Sequence, residues 1–384
     1  MTIKNEHKKL NVPNLRFPEF QGEWAKCTLN EVCKFHNGRA YKQTELLAAG
    51  KYRVLRVGNF FTNDSWYYSN LELEDNKYAQ NGDLLYAWSA SFGPRFWREE
   101  KVIFHYHIWK IDSFKNVDKN FLYHFLDLDS AKIKNEVQGG TMVHITKGDM
   151  EKRTISYPSV LEQRNIARFL FLLDERIATQ NKIIEDLKKL KSAIIEKLYK
   201  EIQGTWYSYR QLFSIINERN KQLEYSNVLS ASQERGMVSR EDLNLDIHFE
   251  RSNISTYKIV KNGDYVIHLR SFQGGFAFSE KTGICSPAYT VLRPNNLLVY
   301  GYLSNYFTSR DFVKSLIIVT YGIRDGRSIN VDEWLDMKVV IPSKEQQTHI
   351  VNVIESIENK IKNEETYSNC LLNQKQYLLR QMFI

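Results

Sequence analysis

The fold is decided by two stretches that repeat each other: residues 158–199, PSVLEQRNIARFLFLLDERIATQNKIIEDLKKLKSAIIEKLY, and residues 342–383, PSKEQQTHIVNVIESIENKIKNEETYSNCLLNQKQYLLRQMF. They align without a gap, residue 158 matching residue 342, at a constant shift of 184. A duplication this long predicts two copies of one unit related by a pseudo-two-fold axis. Each copy would hold a non-helical globular part followed by a long helix.

Both stretches carry a seam of apolar residues whose steps alternate between four and three. This heptad spacing predicts two helices that wind around each other with a left hand. The alternative is that each helix packs only on its own globular part. The apolar seam residues are Ile166, Leu170, Leu173, Ile177, Ile184, Leu187, Ile194 and Leu198 in the first helix, and Ile350, Ile354, Ile357, Ile361, Leu371, Leu378 and Met382 in the second.

Polar residues interrupt both seams at matching places. Lys191 in the first copy corresponds to Lys375 in the second. Two lysines at the same depth would repel each other, whereas an antiparallel pairing moves Lys191 toward the stretch 350–361. The charges therefore favour an antiparallel coiled coil. Each helix follows a proline, and Ser159 and Ser343 are the predicted N-caps.

The sequence outside the helices has short β-branched and aromatic runs and turns such as Asn81-Gly82-Asp83 and Asn262-Gly263-Asp264. These features predict mixed, strand-rich domains, so the predicted class is α+β. The predicted boundaries are an N-terminal segment 1–21, a first strand-rich domain 22–157 (the first head), a central helix 158–203, a second strand-rich domain 204–341 (the second head) and a C-terminal helix 342–384.

The composition is that of a globular protein that binds a polyanion. The 384 residues include 42% hydrophobic and 26% charged residues, with a net charge of +8. The positive balance favours a nucleic-acid partner. The apolar runs in the helices are far shorter than the ~20 residues that a membrane span needs, so we expect a cytoplasmic protein without membrane contact. The four cysteines lack metal-ligand spacing, and no metal site is expected.

Common catalytic signatures are absent from the sequence: it has no GxxxxGK[ST] phosphate loop, no HExxH zinc pair, no GxSxG turn and no Pro-Pro dipeptide. The histidines, among them His105, His107 and His144, have no clear catalytic partner in the sequence. An autonomous DNA-modifying enzyme is therefore disfavoured. A coiled-coil adaptor that joins two protein partners without DNA specificity stays open as the alternative function.

A family resemblance lies in the order and duplication of short motifs: LRFPEF at 15–20 followed by Gly22-Glu23-Trp24, Pro158-Ser159 with Glu162-Gln163, and VLSASQ at 228–233. Over essentially its whole length the chain resembles the specificity subunits of type I restriction-modification systems. The resemblance implies two target-recognition domains, each reading one half of a split site in double-stranded DNA. It also implies an antiparallel helical spacer that sets the gap and docks methyltransferase subunits, two per specificity subunit, and restriction subunits.

The resemblance further implies that this chain performs no catalysis and binds no cofactor. S-adenosylmethionine would belong to the methyltransferase partner, which methylates adenine, and ATP and Mg²⁺ to the nuclease-translocase partner. One departure from the duplication is that Gln346-Gln347 stands where the first copy has Glu162-Gln163. This leaves the second helix entry, and any partner contact there, less defined.

Base reading requires polar side chains that leave strand ends or turns, and phosphate anchoring requires Lys or Arg. In the first head, two candidates follow the strand-like run 52–57 and one follows a glycine turn. In the second head, one cluster follows the strand-like pair 228–229. The predicted DNA-binding residues are Arg56, Asn59 and Arg95 in the first head, and Ser230, Ser232, Gln233, Arg235, Arg270, Ser271 and Gln273 in the second, with Arg324 and Arg327 as phosphate contacts.

Overall fold

The computed structural model describes residues 10–61, 63–89, 92–136, 144–232, 235–243, 251–268, 275–321 and 328–384, with only the backbone described at 135, 136, 251–253, 321 and 328. It divides into two compact units. The first comprises the chain up to Gln180 together with Tyr367–Ile384, and the second is Asn181–Thr366. Each unit therefore combines one head with part of both long helices, whereas the sequence boundaries separate heads from helices.

The first unit is built from two four-stranded sheets and a strand pair. The sheet orders are β2-β9-β6-β7, β4-β3-β8-β5 and β1-β10, and all pairs are antiparallel except β3 with β8. The strands are β1 (Ala25–Thr28), β2 (Lys34–Asn37), β3 (Tyr52–Leu55), β4 (Tyr67–Ser69), β5 (Tyr78–Ala79), β6 (Leu84–Ala87), β7 (Gly93–Phe96), β8 (Val102–Phe104), β9 (Ile108–Asp112) and β10 (Thr154–Tyr157). The helices are α1 (Leu29–Val32), α2 (Val57–Phe61), α3 (Lys119–Glu136), α4 (Lys147–Lys152) and the long α5 (Val160–Lys200), which continues into the second unit.

The second unit repeats this plan. Its sheets have the orders β12-β19-β16-β17, β13-β14, β15-β18, β11-β22 and β20-β21. The strands are β11 (Thr205–Ser208), β12 (Phe213–Ile216), β13 (Leu229–Ser232), β14 (Gly236–Ser239), β15 (Lys258–Val260), β16 (Tyr265–Ile267), β17 (Phe276–Phe278), β18 (Gly283–Cys285), β19 (Thr290–Pro294), β20 (Thr320–Tyr321), β21 (Ser328–Ile329) and β22 (Lys338–Ile341). The helices are α6 (Tyr209–Leu212), α7 (Arg310–Ser315), α8 (Val331–Asp336) and the long α9 (Lys344–Met382), whose C-terminal part belongs to the first unit.

The repeated turn has the same geometry in both heads. Gly82 precedes β6 with a φ of 91°, and Gly263 precedes β16 with a φ of 92°, a left-handed conformation that favours glycine. The amide of Gly82 donates to the carbonyl oxygen of Trp97 at 2.8 Å, and that of Gly263 donates to Ser279 at 2.8 Å. The duplication therefore extends from the helices into the sheets.

The core of the first unit joins its head to both helices. Phe121 of α3 packs among residues 166–177 of α5 and residues 371–383 of α9, and it stacks on Phe383 at 4.9 Å between ring centroids. In the second unit, Ile195 of α5 and Ile354 of α9 share one cluster with the aromatic core around Trp334. Burial of these faces against the heads explains why the compact units cut across the helices.

Both helix starts have the predicted N-caps. The Ser159 hydroxyl accepts from the Glu162 amide at 3.4 Å, and the Ser343 hydroxyl accepts from the Gln346 amide at 3.4 Å. These hydrogen bonds satisfy amide groups that lack a partner within the first helical turn. The N-cap prediction is therefore confirmed in both copies.

Candidate nucleic-acid interface

Parallel pairing places Arg56 at one edge of the first head. β3 and β8 run parallel, with Leu55 opposite Phe104. Because parallel strands end at the same edge of a sheet, the residues after Leu55 and after Phe104 lie side by side. The sequence predicted a strand-like run as far as Val57, but β3 ends at Leu55 and Val57 begins α2. Arg56 is thus the link between strand and helix.

The Arg56 side chain is ordered by an aromatic ring. Its guanidinium lies over Tyr67 of β4, 4.3 Å from the ring centroid. Its Nε atom is buried and has no hydrogen-bond partner within the described part of the chain. A guanidinium stacked in this way loses less entropy when it donates to a guanine edge or a phosphate. The position therefore suits an arginine that contacts DNA.

Arg95 and Asn59 meet at the same helix. Arg95 is exposed on β7, and its guanidinium lies 5.0 Å from the ring of Phe61 at the end of α2. Asn59, within α2, donates from Nδ2 to the carbonyl oxygens of Asn63 at 2.9 Å and Ser65 at 2.7 Å. Its amide therefore orders the loop after α2, and a base contact through the same donors would require these bonds to be exchanged.

In the second head, the predicted cluster forms the hairpin β13-β14. Ser230 is buried, and its hydroxyl accepts from Nε of Arg240 at 3.3 Å. The Ser232 hydroxyl accepts from the amide of Arg235 at 3.3 Å and so closes the turn. Arg235 itself is exposed at the tip. Of these residues, Arg235 is the one whose side chain faces solvent at the turn.

The other candidates of the second head lie outside the described residues; they are Gln233, Arg270, Ser271, Gln273, Arg324 and Arg327. The strand pairings show which positions are equivalent in the two heads. Val228 pairs in parallel with Ile284 as Val54 does with Ile103. Arg56 and Ser230, each two residues beyond these valines, therefore occupy equivalent positions at the sheet edge.

The seam residues are buried or half-buried along both helices. In the first unit, Ile166, Leu170, Leu173 and Ile177 share a cluster with Leu371, Leu378 and Met382. In the second unit, Ile350 and Ile354 cluster with Ile195, one position beyond the predicted Ile194, which is half-buried. Each unit thus joins the start of one helix to the end of the other, so the predicted antiparallel coiled coil is confirmed.

Each seam lysine pairs with a carboxylate within its own unit. In the second unit, Lys191 pairs with Glu358 at 2.5 Å. In the first unit, Lys375 pairs with Asp174 at 2.8 Å and with Asp127 of α3 at 3.3 Å. Asp174 and Lys191, shifted by 184, become Glu358 and Lys375, so the two ion pairs are copies of one contact. Opposite charge at these places is what the antiparallel register requires.

The residues around Lys375 raise the pKa of its ammonium group. Burial alone would lower the pKa of the ammonium, but the carboxylates of Asp127 and Asp174 outweigh this effect and raise the pKa above its usual range.

Among the described residues there is no group of three or more His, Cys, Asp or Glu side chains that could hold a metal ion. No described helix is long and apolar enough to cross a membrane.

Comparisons with known proteins give matches to type I restriction systems. The sequence model of the type I restriction modification DNA specificity domain matches residues 21–189. The chain is 24% identical to the type I restriction enzyme MjaVIII specificity subunit of Methanocaldococcus jannaschii, over 74% of each chain. Residues 21–189 therefore match a type I DNA specificity domain, and the chain as a whole is similar to a type I specificity subunit. The matched range ends within α5, and the second head follows beyond it with the same frame of sheets and turns.

Solved structures share the fold of this chain. The type I restriction-modification S subunit from M. genitalium superimposes with a TM-score of 0.55 at 16% identity, covering 97% of this chain and 99% of that one. A chain from a structure of complex assembly and conformational transition in a type I restriction-modification system gives a TM-score of 0.59 at 14% identity, covering 93% and 96%. At this level of sequence identity, the comparison shows that the folds are alike and nothing more.

Sequence reasoning missed the residues that hold the candidate site in place. The rings of Tyr67 and Phe61 lie under arginines, and the aromatic run at 60–68 was the available signal. Gln163 and Gln347 are also fully buried, and each bonds the loop beneath its helix start. Their identity at matching positions of the duplication could have indicated a shared structural role.

Proposed function

We propose that this chain is a DNA specificity subunit that recognises a split, asymmetric site in double-stranded DNA, and that each head reads one half. The observation that carries the proposal is a repeated frame with different side chains at its edge. Arg56 in the first head is matched by Ser230 in the second. Arg95 opposite Leu85 is matched by Ala277 opposite Val266. A shared frame with different edge residues is expected when two domains bind different sequences.

The chemistry at each edge suits a different target. Arg56 and Arg95, held over aromatic rings, can donate two hydrogen bonds to a guanine edge or to phosphate. In the second head, Arg235 supplies the charged donor, while Gln233, Ser271 and Gln273 are proposed base contacts and Ser230 and Ser232 shape the hairpin. Arg270 is a further proposed contact. Arg324 and Arg327 are proposed to bind phosphates, a sequence-independent contribution to affinity.

The helices are proposed to set the gap between half-sites and to dock the partner subunits. The two copied ion pairs, Lys191 with Glu358 and Lys375 with Asp174, support a single antiparallel register. Away from the seam, α5 exposes apolar side chains that a soluble protein normally covers; they are Leu161 (64%), Leu172 (56%), Ile183 (41%) and Leu190 (50%). These residues suit contact with methyltransferase subunits.

The proposed complex contains two methyltransferase subunits and restriction subunits and works in the cytoplasm. The methyltransferase partner would use S-adenosylmethionine to methylate adenine. The restriction partner would use ATP and Mg²⁺ for translocation and cleavage. This chain would contribute the choice of sequence and no bond chemistry.

The test is co-expression with the neighbouring methyltransferase, followed by mapping of methylated sites. Arg56→Ala should weaken binding of the first half-site by roughly 5- to 150-fold, and Arg235→Ala should do so at the other half, because each lost bidentate contact costs about 1–3 kcal/mol. The exposed Arg210, paired with Asp336, offers a control of equal charge change, and Arg210→Ala should leave both half-sites unchanged. A complex that assembles but shows no sequence preference would favour the adaptor function instead.

A further inference from the structure

A tight turn between β8 and β9 occupies the edge next to Arg56. It consists of His105, Tyr106 and His107, and the Ile108 amide donates to the His105 carbonyl oxygen at 2.9 Å. The His105 amide in turn donates to the carbonyl oxygen of Leu55, the residue before Arg56, at 2.9 Å. The three residues of the turn therefore lie beside Arg56, which the sequence analysis predicts to bind DNA.

The turn is held rigidly from two other sides. The Trp88 amide donates to the carbonyl oxygen of His107 at 3.1 Å, and its indole Nε1 donates to that of Tyr106 at 2.8 Å. On the opposite side, a Cβ atom at Gly38 would lie 2.3 Å from the His105 carbonyl oxygen, so only glycine permits this approach. A turn that is fixed by backbone bonds presents its side chains without a large ordering cost.

The side chains that the turn exposes are aromatic rings that also carry polar atoms. Tyr106 is 39% exposed, and His105 and His107 are half-exposed. The ring of Trp88 lies 5.0 Å from that of His107 and 6.0 Å from that of His144, which extends the patch. Each imidazole and the phenol can both donate and accept hydrogen bonds, as base edges do.

The histidines of the turn favour bases over phosphates. Burial, with smaller effects of His107 and Arg56, lowers the pKa of His105 to about 4. Burial, with a smaller effect of His144, also lowers the pKa of His107. Both rings are thus mainly neutral at neutral pH. A neutral imidazole offers no net charge to a phosphate but keeps one donor and one acceptor for a base.

The second head has the same turn with other side chains. β18 is followed by Ser286, Pro287 and Ala288, and the Tyr289 amide closes the turn on the Ser286 carbonyl oxygen at 3.0 Å. A partner protein that bound both heads alike would need like residues at both turns. A bipartite DNA target imposes no such likeness, because its two halves differ.

We infer that the turn 105–107, supported by Trp88, contacts the bases of the half-site that the first head reads. The inference rests on the proposed function and adds specificity residues to it. Tyr106 would pack against or hydrogen-bond to a base, and His107 would contact the edge of a neighbouring base. Arg56 beside them would supply the charged contact.

The experiment uses the complex co-expressed with its methyltransferase, with binding to the mapped duplex measured by fluorescence anisotropy. Tyr106→Ala and His107→Ala should each lower affinity for that duplex by roughly ten- to a hundredfold. Tyr106→Phe separates ring packing from hydrogen bonding by the phenol. His36, half-exposed on β2 and paired with Asp112 at 2.9 Å, provides a matched control, and His36→Ala should bind as wild type.

Duplexes mutated in one half-site at a time locate the effect. The inference holds if the variants lose discrimination at one half-site and keep it at the other. It is overturned if Tyr106→Ala and His107→Ala bind and discriminate as wild type, or if they purify without the methyltransferase, which would make the turn a protein contact. If the wild-type complex itself shows no sequence preference, the proposed function fails instead.

Discussion

The two heads share their frame and differ at their edge. Both have the glycine turn before the central strand, the same four-stranded sheet order and a buried glutamine at the helix start. At the edge, the turn His105–His107 corresponds to Ser286–Ala288, and Arg56 corresponds to Ser230. The comparison teaches that the repeat is preserved where side chains hold the sheets and the helix starts together, while positions at the edge differ even where one of them, Ser230, is buried.

The units also differ in how each head is tied to the helices. In the first unit, α3 is a continuous helix of 18 residues, and its Asp127 joins the Lys375–Asp174 pair. In the second unit, the chain before α8 is broken into the short helical segments Tyr306–Thr308, Arg310–Ser315 and Leu316–Val319. There Lys191 has, among the described residues, one carboxylate partner, Glu358 on α9. The first head is therefore bonded to its helices by a charged network.

The largest expected effect tests the shared frame. Gln163 bonds the Asp118 amide and the carbonyl oxygens of Asn116 and Pro158, and Gln347 bonds Val299, Leu297 and Pro342 in the same way. Gln163→Ala and Gln347→Ala should each lower the free energy of unfolding by about 3 kcal/mol, because buried groups lose their partners. Urea unfolding measures this.

The exposed Gln346 is the control for both substitutions, and Gln346→Ala should change stability by no more than about 0.5 kcal/mol. Equal losses at Gln163 and Gln347 would support equivalent frames. If Gln163→Ala proved as stable as Gln346→Ala, the glutamine would not hold the loop.

The next effect tests the difference between the two ion pairs. Lys375→Met leaves two carboxylates without their cation and should cost about 2–3 kcal/mol, at the lower end for buried pairs because Asp127 and Asp174 are partly exposed. Lys191→Met removes a more exposed pair and should cost less than about 1 kcal/mol. The measurement is urea unfolding of both variants. If both substitutions lowered the free energy of unfolding equally, the ion pairs of the two units would not differ in strength as proposed.

The smallest effect is a pH dependence confined to the first unit. His124 of α3 is fully buried, and burial, together with Lys375, lowers its pKa to about 3. In the unfolded chain a histidine binds its proton near pH 6.5, so between these values the unfolded state binds more protons. Stability therefore falls as pH falls below 6.5, by about 2 kcal/mol at pH 5.

Hydrogen exchange followed by mass spectrometry distinguishes the two units, and the first should lose protection at pH 5 relative to pH 7. His124→Leu removes one of the titrating groups and should reduce this dependence, while the lowered pKa values of His105 and His107 keep part of it. A variant whose pH profile matches that of the wild type would exclude His124 as the cause.

Several features were predictable because they depend on local or periodic patterns. The heptad spacing predicted the coiled coil, and the matched lysines predicted its antiparallel direction, since charge repulsion depends only on register. Ser159 and Ser343 were predicted as caps because a cap bonds an amide three residues away. The DNA contact of Arg56 stays a prediction; Arg56 was selected near the end of a strand-like run, and the strand ends at Leu55, two residues earlier than predicted.

The sequence by itself determined the duplication, the α+β class and the two helices, because periodicity and capping act between residues close in the chain. Only the tertiary structure decided which residues meet across long separations. The parallel pairing of β3 and β8 places the turn 105–107 beside Arg56. The packing of α3 against α9 brings Asp127 into an ion pair with Lys375. These contacts depend on strand order and helix packing, which no local pattern specifies.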